Sequence, residues 1–160
     1  MNDEHWMREA LHEAEKCLRL ATPRSAFRVP RSEDVPVGAI CVFQNEIIGR
    51  GHNRRETDRD PTSHAELLAI REAARHLDSW RLETVALYVT LEPCAMCAGA
   101  VCLARIQRVI FGAWDERAGA CGSLLDIPRD PRLNHRPQLR GGVLQAECAA
   151  LLTEFFAARR

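Results

Sequence analysis

Two short segments about thirty residues apart hold the side chains with the most evident chemistry in this sequence. The first supplies His64 and Glu66, and the second supplies Cys94 and Cys97 in a Pro-Cys-x-x-Cys pattern. One imidazole and two thiolates suit zinc, and three protein ligands instead of four indicate a site with one open position. Zinc lowers the pKa of a water in such a position toward neutrality, so hydroxide becomes available at ordinary pH. Glu66 is then left free to move protons.

The second segment also has plainer interpretations, because a Cys-x-x-Cys pair can be a redox pair or half of a structural zinc site. A closed structural site would need a fourth protein ligand at motif spacing. The remaining cysteines are single and scattered along the chain: Cys17, Cys41, Cys102, Cys121 and Cys148. The ligand count and spacing therefore favour an open catalytic site over both alternatives.

The composition is that of a globular protein with balanced charge. The chain has 160 residues, which predicts a single domain over 1–160, and 46% of them are hydrophobic. It carries 22 basic and 22 acidic residues, so a protein that coats nucleic acid indiscriminately is not expected. Lys16 is the only lysine. Arginine suits phosphate contacts and base stacking, although an arginine-rich codon usage would produce the same bias.

Several features predict a location in the cytoplasm. No run of about 18 apolar residues could span a membrane, and the charged segment 1–8 lacks the apolar core of a signal peptide. The cysteine count is odd, and the cysteines outside the motif lie among apolar residues. Buried free thiols in a reducing compartment fit this pattern better than a disulfide framework.

Four segments carry apolar residues at the three- and four-residue spacing of helices. The predicted helices cover 3–20, 63–77, 93–104 and 146–158. Thr62 or Ser63 is expected to cap the second helix, and Pro93 to occupy the first turn of the third. Both metal motifs then fall at helix N-termini, where backbone N–H groups favour thiolates and hydroxide. His64 and Glu66 can address one site only from the first turn of their helix.

Short apolar runs predict the strands of the fold. They cover 37–43, 46–51, 85–90, 108–111 and 138–143, with a hairpin turn at Gln44-Asn45 between the first two. Segments 21–34 and 112–137 contain the prolines and glycines typical of loops. Because strands alternate with helices, the pattern predicts a three-layer α/β fold with a partly parallel sheet.

The His-x-Glu and Pro-Cys-x-x-Cys pair is also the described signature of zinc-dependent nucleobase deaminases. Beyond it, nearly the whole chain resembles the bacterial tRNA-specific adenosine deaminases of the cytidine deaminase superfamily. The resembling pieces are 5–8, 35–39, 51–54, 60–66, 87–100, 119–123, 133–136 and 147–152. Only the core of these pieces is shared with deaminases of free nucleobases, whereas 133–136 and 147–152 look like the tRNA branch.

The resemblance implies an α/β/α sandwich with a mixed five-stranded sheet, a homodimer and one Zn²⁺ per subunit. It also implies conversion of the wobble adenosine in the anticodon stem-loop of an arginine tRNA to inosine. Matched residue by residue, His64, Cys94 and Cys97 would hold zinc, and Glu66 would be the proton shuttle. The implied substrate contacts are Asn53 to the flipped adenine and, to neighbouring nucleotides, Asp115, Asn134, His135, Phe156 and Arg159.

The sequence departs from the family pattern in two places that bear on function. Segment 21–34 is longer than the usual connection, and we expect it to be mobile and dispensable for the chemistry. Trp114 stands where an arginine is common, which offers a stacking surface in place of an RNA contact. Phe155 and Phe156 are first of all core candidates, of which at most one should reach RNA, and Cys102 is expected in the core.

Two rival functions remain open at this point. A deaminase of free guanine or cytosine would share the zinc chemistry, and activity on a small nucleobase without RNA would reveal it. A non-catalytic RNA-binding subunit would keep zinc without the chemistry. Glu66 argues against that subunit, because loss of this carboxylate is the simplest route to it.

Overall fold

The computed structural model describes residues 2–19 and 33–159 of the chain. The helices of this part are α1 (Asp3–Arg19), α2 (Arg55–Asp58), α3 (Ala65–His76), α4 (Ala95–Leu103) and α5 (Gln145–Ala157). The strands are β1 (Gly38–Phe43), β2 (Glu46–His52), β3 (Ala86–Leu91), β4 (Arg108–Ala113) and β5 (Gln138–Arg140). All four predicted helices and five predicted strands are therefore confirmed, with shifts of a few residues at their ends.

The strands form one mixed sheet in the order β2-β1-β3-β4-β5. β1 pairs antiparallel with β2 and β3, whereas β3, β4 and β5 run parallel. The hairpin between β1 and β2 turns at Gln44 and Asn45, whose φ angles of 48° and 66° are typical of a tight two-residue turn. The parallel pair β3 and β4 requires a crossover, which α4 provides. The predicted mixed five-stranded sheet is confirmed.

Helices cover both faces of the sheet, because the side chains of its central strands alternate between two apolar cores. Ala39 and Cys41 of β1 lie in the core beneath α3 and α4, and Ile40 of the same strand lies in the core beneath α1 and α5. Leu87 and Tyr88 of β3 divide in the same way. This arrangement is the predicted three-layer α/β/α sandwich.

The start of α3 lies unusually close to β2. A Cβ atom at Gly51 would collide with the carbonyl oxygen of Ala65, the first residue of the helix. The absence of a side chain at Gly51 therefore allows the backbone of the helix to approach the strand. This contact positions the first turn of α3, which contains Glu66, against β2.

The short helix α2 is an element that the apolar pattern did not predict. Asp34 caps it, because its carboxylate accepts hydrogen bonds from the backbone N–H groups of Glu56 (2.6 Å) and Thr57 (3.2 Å). Residues 21–32 of the expected mobile loop lie outside the described residues. At the end of that loop, Asp34 is buried. This end of the segment therefore has a structural role.

None of the helices in residues 2–19 and 33–159 has the length and apolar character needed to cross a bilayer.

Candidate active site

The two motifs place one residue each immediately before a helix. His64 is the N-cap of α3, with φ −78° and ψ 150°, and Cys94 is the N-cap of α4, with φ −72° and ψ 175°. Glu66 and Cys97 then lie in the first turns of these helices. The partial positive charges of two helix N-termini thus meet at one point, which favours thiolates and other anions there.

The predicted caps of these helices were wrong. Thr62 and Ser63 do not cap α3, because the carboxylate of Asp60 accepts their hydroxyl hydrogen bonds at 2.7 and 3.2 Å. Pro93 lies before α4 and not in its first turn. Its carbonyl oxygen accepts a hydrogen bond from Ala120 N–H (2.8 Å) and so keeps the chain extended through Cys94.

The three expected metal ligands form a compact triangle. The Nδ1 atom of His64 lies 3.7 Å from Sγ of Cys94 and 3.6 Å from Sγ of Cys97. All three donor atoms lie within 4.8 Å of one another. Tetrahedral zinc, with bonds of about 2.3 Å to sulfur and about 2.05 Å to nitrogen, would separate these atoms by about 3.6 Å. The donor set and its spacing therefore fit zinc.

The two thiols and the imidazole are coupled through hydrogen bonds. The Cys97 thiol donates to Cys94, and together with the His64 ring it lowers the pKa of Cys94 to about 3. The same hydrogen bond and burial raise the pKa of Cys97. The hydrogen bond with Cys94 raises the pKa of His64. These hydrogen bonds favour the thiolate form of Cys94, which is the form that binds a metal ion.

Glu66 is the carboxylate of this site and is buried beside the triangle. Burial raises the pKa of Glu66 to about 7, although the nearby His64 ring opposes this shift. A carboxyl group with a pKa near the working pH can both accept and donate a proton. The site thus combines a donor set for zinc with a group suited to proton transfer.

A cleft of about 930 Å³ opens onto His64, Glu66 and Cys94. Several of the other residues that line it carry polar, charged or aromatic side chains: Asn53, Arg55, Glu92, Trp114, Asp115, Arg117, Phe156 and Arg159. Four of the six substrate-contact residues expected from the resemblance are among them. The volume is in the range of sites that hold a nucleotide-sized ligand.

The side chain of Asn53 is held in one orientation at the edge of the cleft. Its Nδ2 group donates to the carbonyl oxygen of Val35 (3.1 Å), and its Oδ1 atom accepts from Arg55 N–H (3.3 Å). Asp115 is fixed similarly, since its Oδ1 atom accepts from the N–H groups of Arg117 (2.9 Å) and Ala118 (3.2 Å). Both side chains are therefore positioned before any ligand binds.

The last helix contributes one exposed ring and one cation. Phe155 is buried and Phe156 is 51% exposed, which agrees with the expectation that at most one of the two rings is free to contact a ligand. The guanidinium of Arg159 lies 3.4 Å from the centroid of the Phe155 ring, and its Nη1 donates to the Phe155 carbonyl oxygen (3.1 Å).

Asn134 and His135 lie elsewhere: within the described part of the chain, neither lines the cleft. The Oδ1 atom of Asn134 accepts from Nη1 of Arg105 (3.1 Å), and Nε2 of His135 donates to the carbonyl oxygen of Ile106 (2.6 Å). Both contacts are just beyond the C-terminal end of α4, whereas Cys94 is at its N-terminal end.

Glu92 is a site residue that the sequence reasoning missed. Its buried carboxylate accepts hydrogen bonds from the N–H groups of Asp115 (3.0 Å), Cys121 (2.9 Å) and Ser123 (3.0 Å). Burial alone would raise the pKa of Glu92, but these donors and the Ser123 hydroxyl hold it below its ordinary value. An acidic residue that directly follows an apolar strand and precedes Pro93 was the available signal.

Comparisons with known proteins identify the family of this chain. The MafB19-like deaminase family matches residues 1–160. The chain is 45% identical to a tRNA-specific adenosine deaminase of Bacillus subtilis (strain 168), over 96% of this chain and 88% of the relative. The chain therefore belongs to the MafB19-like deaminases, and among them to the tRNA-specific adenosine deaminases.

Two solved structures of deaminases have a similar fold. One, from a study of A-to-I editing by tRNA:A34 deaminases at the wobble position, is 37% identical with a TM-score of 0.82, covering 92% of this chain and 99% of that one. The other is a guanine deaminase from Nitrosomonas europaea, 24% identical with a TM-score of 0.74, covering 96% and 84%. At that identity the second similarity shows the fold alone.

Proposed function

We propose that this chain hydrolyses adenosine to inosine at the wobble position of a tRNA anticodon, in an arginine tRNA. The observation that supports the chemistry is the triangle of His64, Cys94 and Cys97 with the buried carboxylate of Glu66 beside it. The names of the relatives support the substrate. The same relatives support a place in the cytoplasm, where a tRNA-modifying enzyme meets its substrate.

His64, Cys94 and Cys97 would hold one zinc ion per subunit, and zinc would supply a water of lowered pKa. The reaction adds water across the N1–C6 double bond of adenine, breaks the bond from C6 to its amino nitrogen and releases ammonia. Glu66 accepts a proton from the attacking water and delivers it to ring N1. It then passes the second proton of that water to the departing amine, which leaves only when protonated.

The base must leave its stack to reach Glu66, and a single-stranded anticodon loop permits this at small cost. We propose that Asn53 hydrogen-bonds the adenine, and that Asp115, Phe156 and Arg159 contact neighbouring nucleotides. All four line the cleft. RNA contacts by Asn134 and His135 would lie beyond its edge.

We also propose a homodimer in which α4 is covered by a second subunit. Leu103 of this helix is 77% exposed, and Ala95 is exposed as well. Apart from its chain neighbours and the nearby backbone of α4 itself, no described atom lies within 4 Å of a Cβ placed at Gly99. A helix with apolar residues on both its buried and its exposed face needs cover on more than one side.

The experiment compares three substrates at equal enzyme concentration: an anticodon stem-loop with wobble adenosine, free adenosine and free guanine. The proposal expects inosine from the stem-loop and almost no turnover of the two small molecules, because selectivity comes from contacts outside the zinc pocket. Comparable turnover of free adenosine or guanine would overturn the tRNA assignment. Stem-loop binding without any chemistry would favour the non-catalytic RNA-binding subunit.

A further inference from the structure

Trp114 is an exposed aromatic residue within the cleft that contains Glu66. It follows directly after β4, and 45% of it remains exposed although its neighbours Phe111 and Ala113 are buried. The cleft therefore presents an indole ring in addition to the exposed ring of Phe156. Flat apolar rings of this kind are the surfaces on which unpaired bases stack.

The ring of Trp114 is supported from behind. It packs edge to face against Phe111, with the ring centroids 4.7 Å apart and the planes at 89°. A Cβ atom at Gly141 would lie 2.6 Å from Cζ2 of Trp114, so only the absence of a side chain leaves room for the ring. The indole therefore packs against Phe111 and Gly141 on one side, while part of the ring is exposed and lines the cleft.

The backbone that follows the ring is also fixed. The carboxylate of Glu92 accepts a hydrogen bond from Asp115 N–H (3.0 Å), and the carbonyl oxygen of Asp115 accepts one from Gly119 N–H (2.8 Å). Gly119 in turn forms an antiparallel bridge with Cys94. The position of Trp114 is therefore set relative to the metal ligands, and little order needs to be created when a ligand binds.

We propose that Trp114 is a stacking platform for the nucleobase adjacent to the one that is deaminated, a statement that rests on the proposed function. Only the neighbour of a flipped base comes close to the zinc pocket while it is itself unpaired and free to stack. Arg55 and Arg117, on the same cleft, can meet the phosphates that join the two nucleotides. Because every base has a π face, the platform strengthens binding of a loop without reading its sequence.

The first arm of the test measures KM and kcat on the anticodon stem-loop for three variants. Trp114→Ala should raise KM about ten- to a hundred-fold with kcat nearly unchanged, whereas Trp114→Phe should stay within about threefold of the wild type. Trp80→Ala is the matched control, since Trp80 is 60% exposed and lies outside the cleft lining as the described residues define it. It should leave both constants unchanged.

The second arm alters the substrate, so its wild-type measurements do not depend on the stability of any variant. An abasic site replaces the nucleotide on one side of the wobble adenosine, then the nucleotide on the other. At one of these two sites the wild type should show the same rise in KM as Trp114→Ala, and the variant should show no further rise. A purely structural role for Trp114 would not produce this coupling.

Additive effects of the variant and both abasic sites would overturn the platform, as would an unchanged KM of the wild type on both abasic stem-loops. A fall in sedimentation mass of Trp114→Ala would also overturn it, because the ring would then belong to a contact between subunits. Absence of inosine from the unmodified stem-loop with the wild type would overturn the proposed function together with this inference. Inosine formation without coupling would overturn this inference alone.

Discussion

Glu66 is the residue on which the proposed chemistry depends most directly. It is buried, carries a pKa near 7 and lies one residue beyond the start of α3. It is distinct from the His64, Cys94 and Cys97 cluster, which supplies the soft and borderline donors that zinc prefers. The separation of these tasks predicts that metal binding and proton transfer can be lost independently.

Glu66→Gln should therefore keep one zinc per chain and lower kcat on the stem-loop by about a hundredfold to ten-thousandfold. The amide keeps the size and polarity of the side chain but cannot carry the proton. Zinc content by elemental analysis and inosine formation are measured on the same sample. Stoichiometric loss of zinc in this variant would show that Glu66 is a ligand.

The elements around the site were largely predictable, because apolar periodicity follows directly from which face of a helix or strand is buried. The helix caps were not predictable. The Thr62 hydroxyl donates its hydrogen bond to Asp60, and the N-cap residue of α3 is His64. Contacts between distant residues were also out of reach. Asp34 caps α2 from 22 residues upstream, and Glu92 binds backbone up to 31 residues downstream. Local sequence does not identify the partners in either pairing.

The loop from residue 115 to 123 is held by hydrogen bonds to the single carboxylate of Glu92. A substitution of Glu92 should therefore destabilise the whole loop. Glu92→Gln replaces one carboxylate oxygen with an NH₂ group, so donors that face that side lose their acceptor. We expect the free energy of unfolding to fall by about 1–3 kcal/mol, measured by urea denaturation.

Glu116→Gln is the matched control for that substitution, because Glu116 lies on the same loop and is exposed. It should leave the free energy of unfolding unchanged. An equally small effect of Glu92→Gln would mean that solvent can replace the carboxylate and that the loop is not held by it.

At the scale of the whole molecule, the exposed Leu103 of α4 leads to a prediction about assembly. Leu103→Arg should raise the dissociation constant of the proposed homodimer at least about tenfold, because a charge would be buried in the proposed apolar contact. Leu18→Arg is the control, since Leu18 is also exposed but lies on α1, on the opposite face of the sheet. Sedimentation velocity at micromolar concentration reads out both, and a monomeric wild type would contradict the prediction.

The net charge of the chain is zero, so attraction of RNA must come from local arginines and not from the molecule as a whole. With about three phosphates neutralised in a single-stranded loop, the logarithm of the binding constant should fall with that of salt at a slope of about −2. A titration of stem-loop binding from low to moderate salt measures this slope. A much steeper dependence would indicate general polyanion binding.

The most direct measurement locates inosine in a full-length arginine tRNA transcript that carries adenosine at the wobble position. After incubation with the zinc-loaded protein, digestion and mass spectrometry identify which nucleotide has changed. We expect inosine at the wobble position alone, formed by the wild type and absent with Glu66→Gln. Unchanged tRNA with the wild type, or inosine distributed over other adenosines, would contradict it.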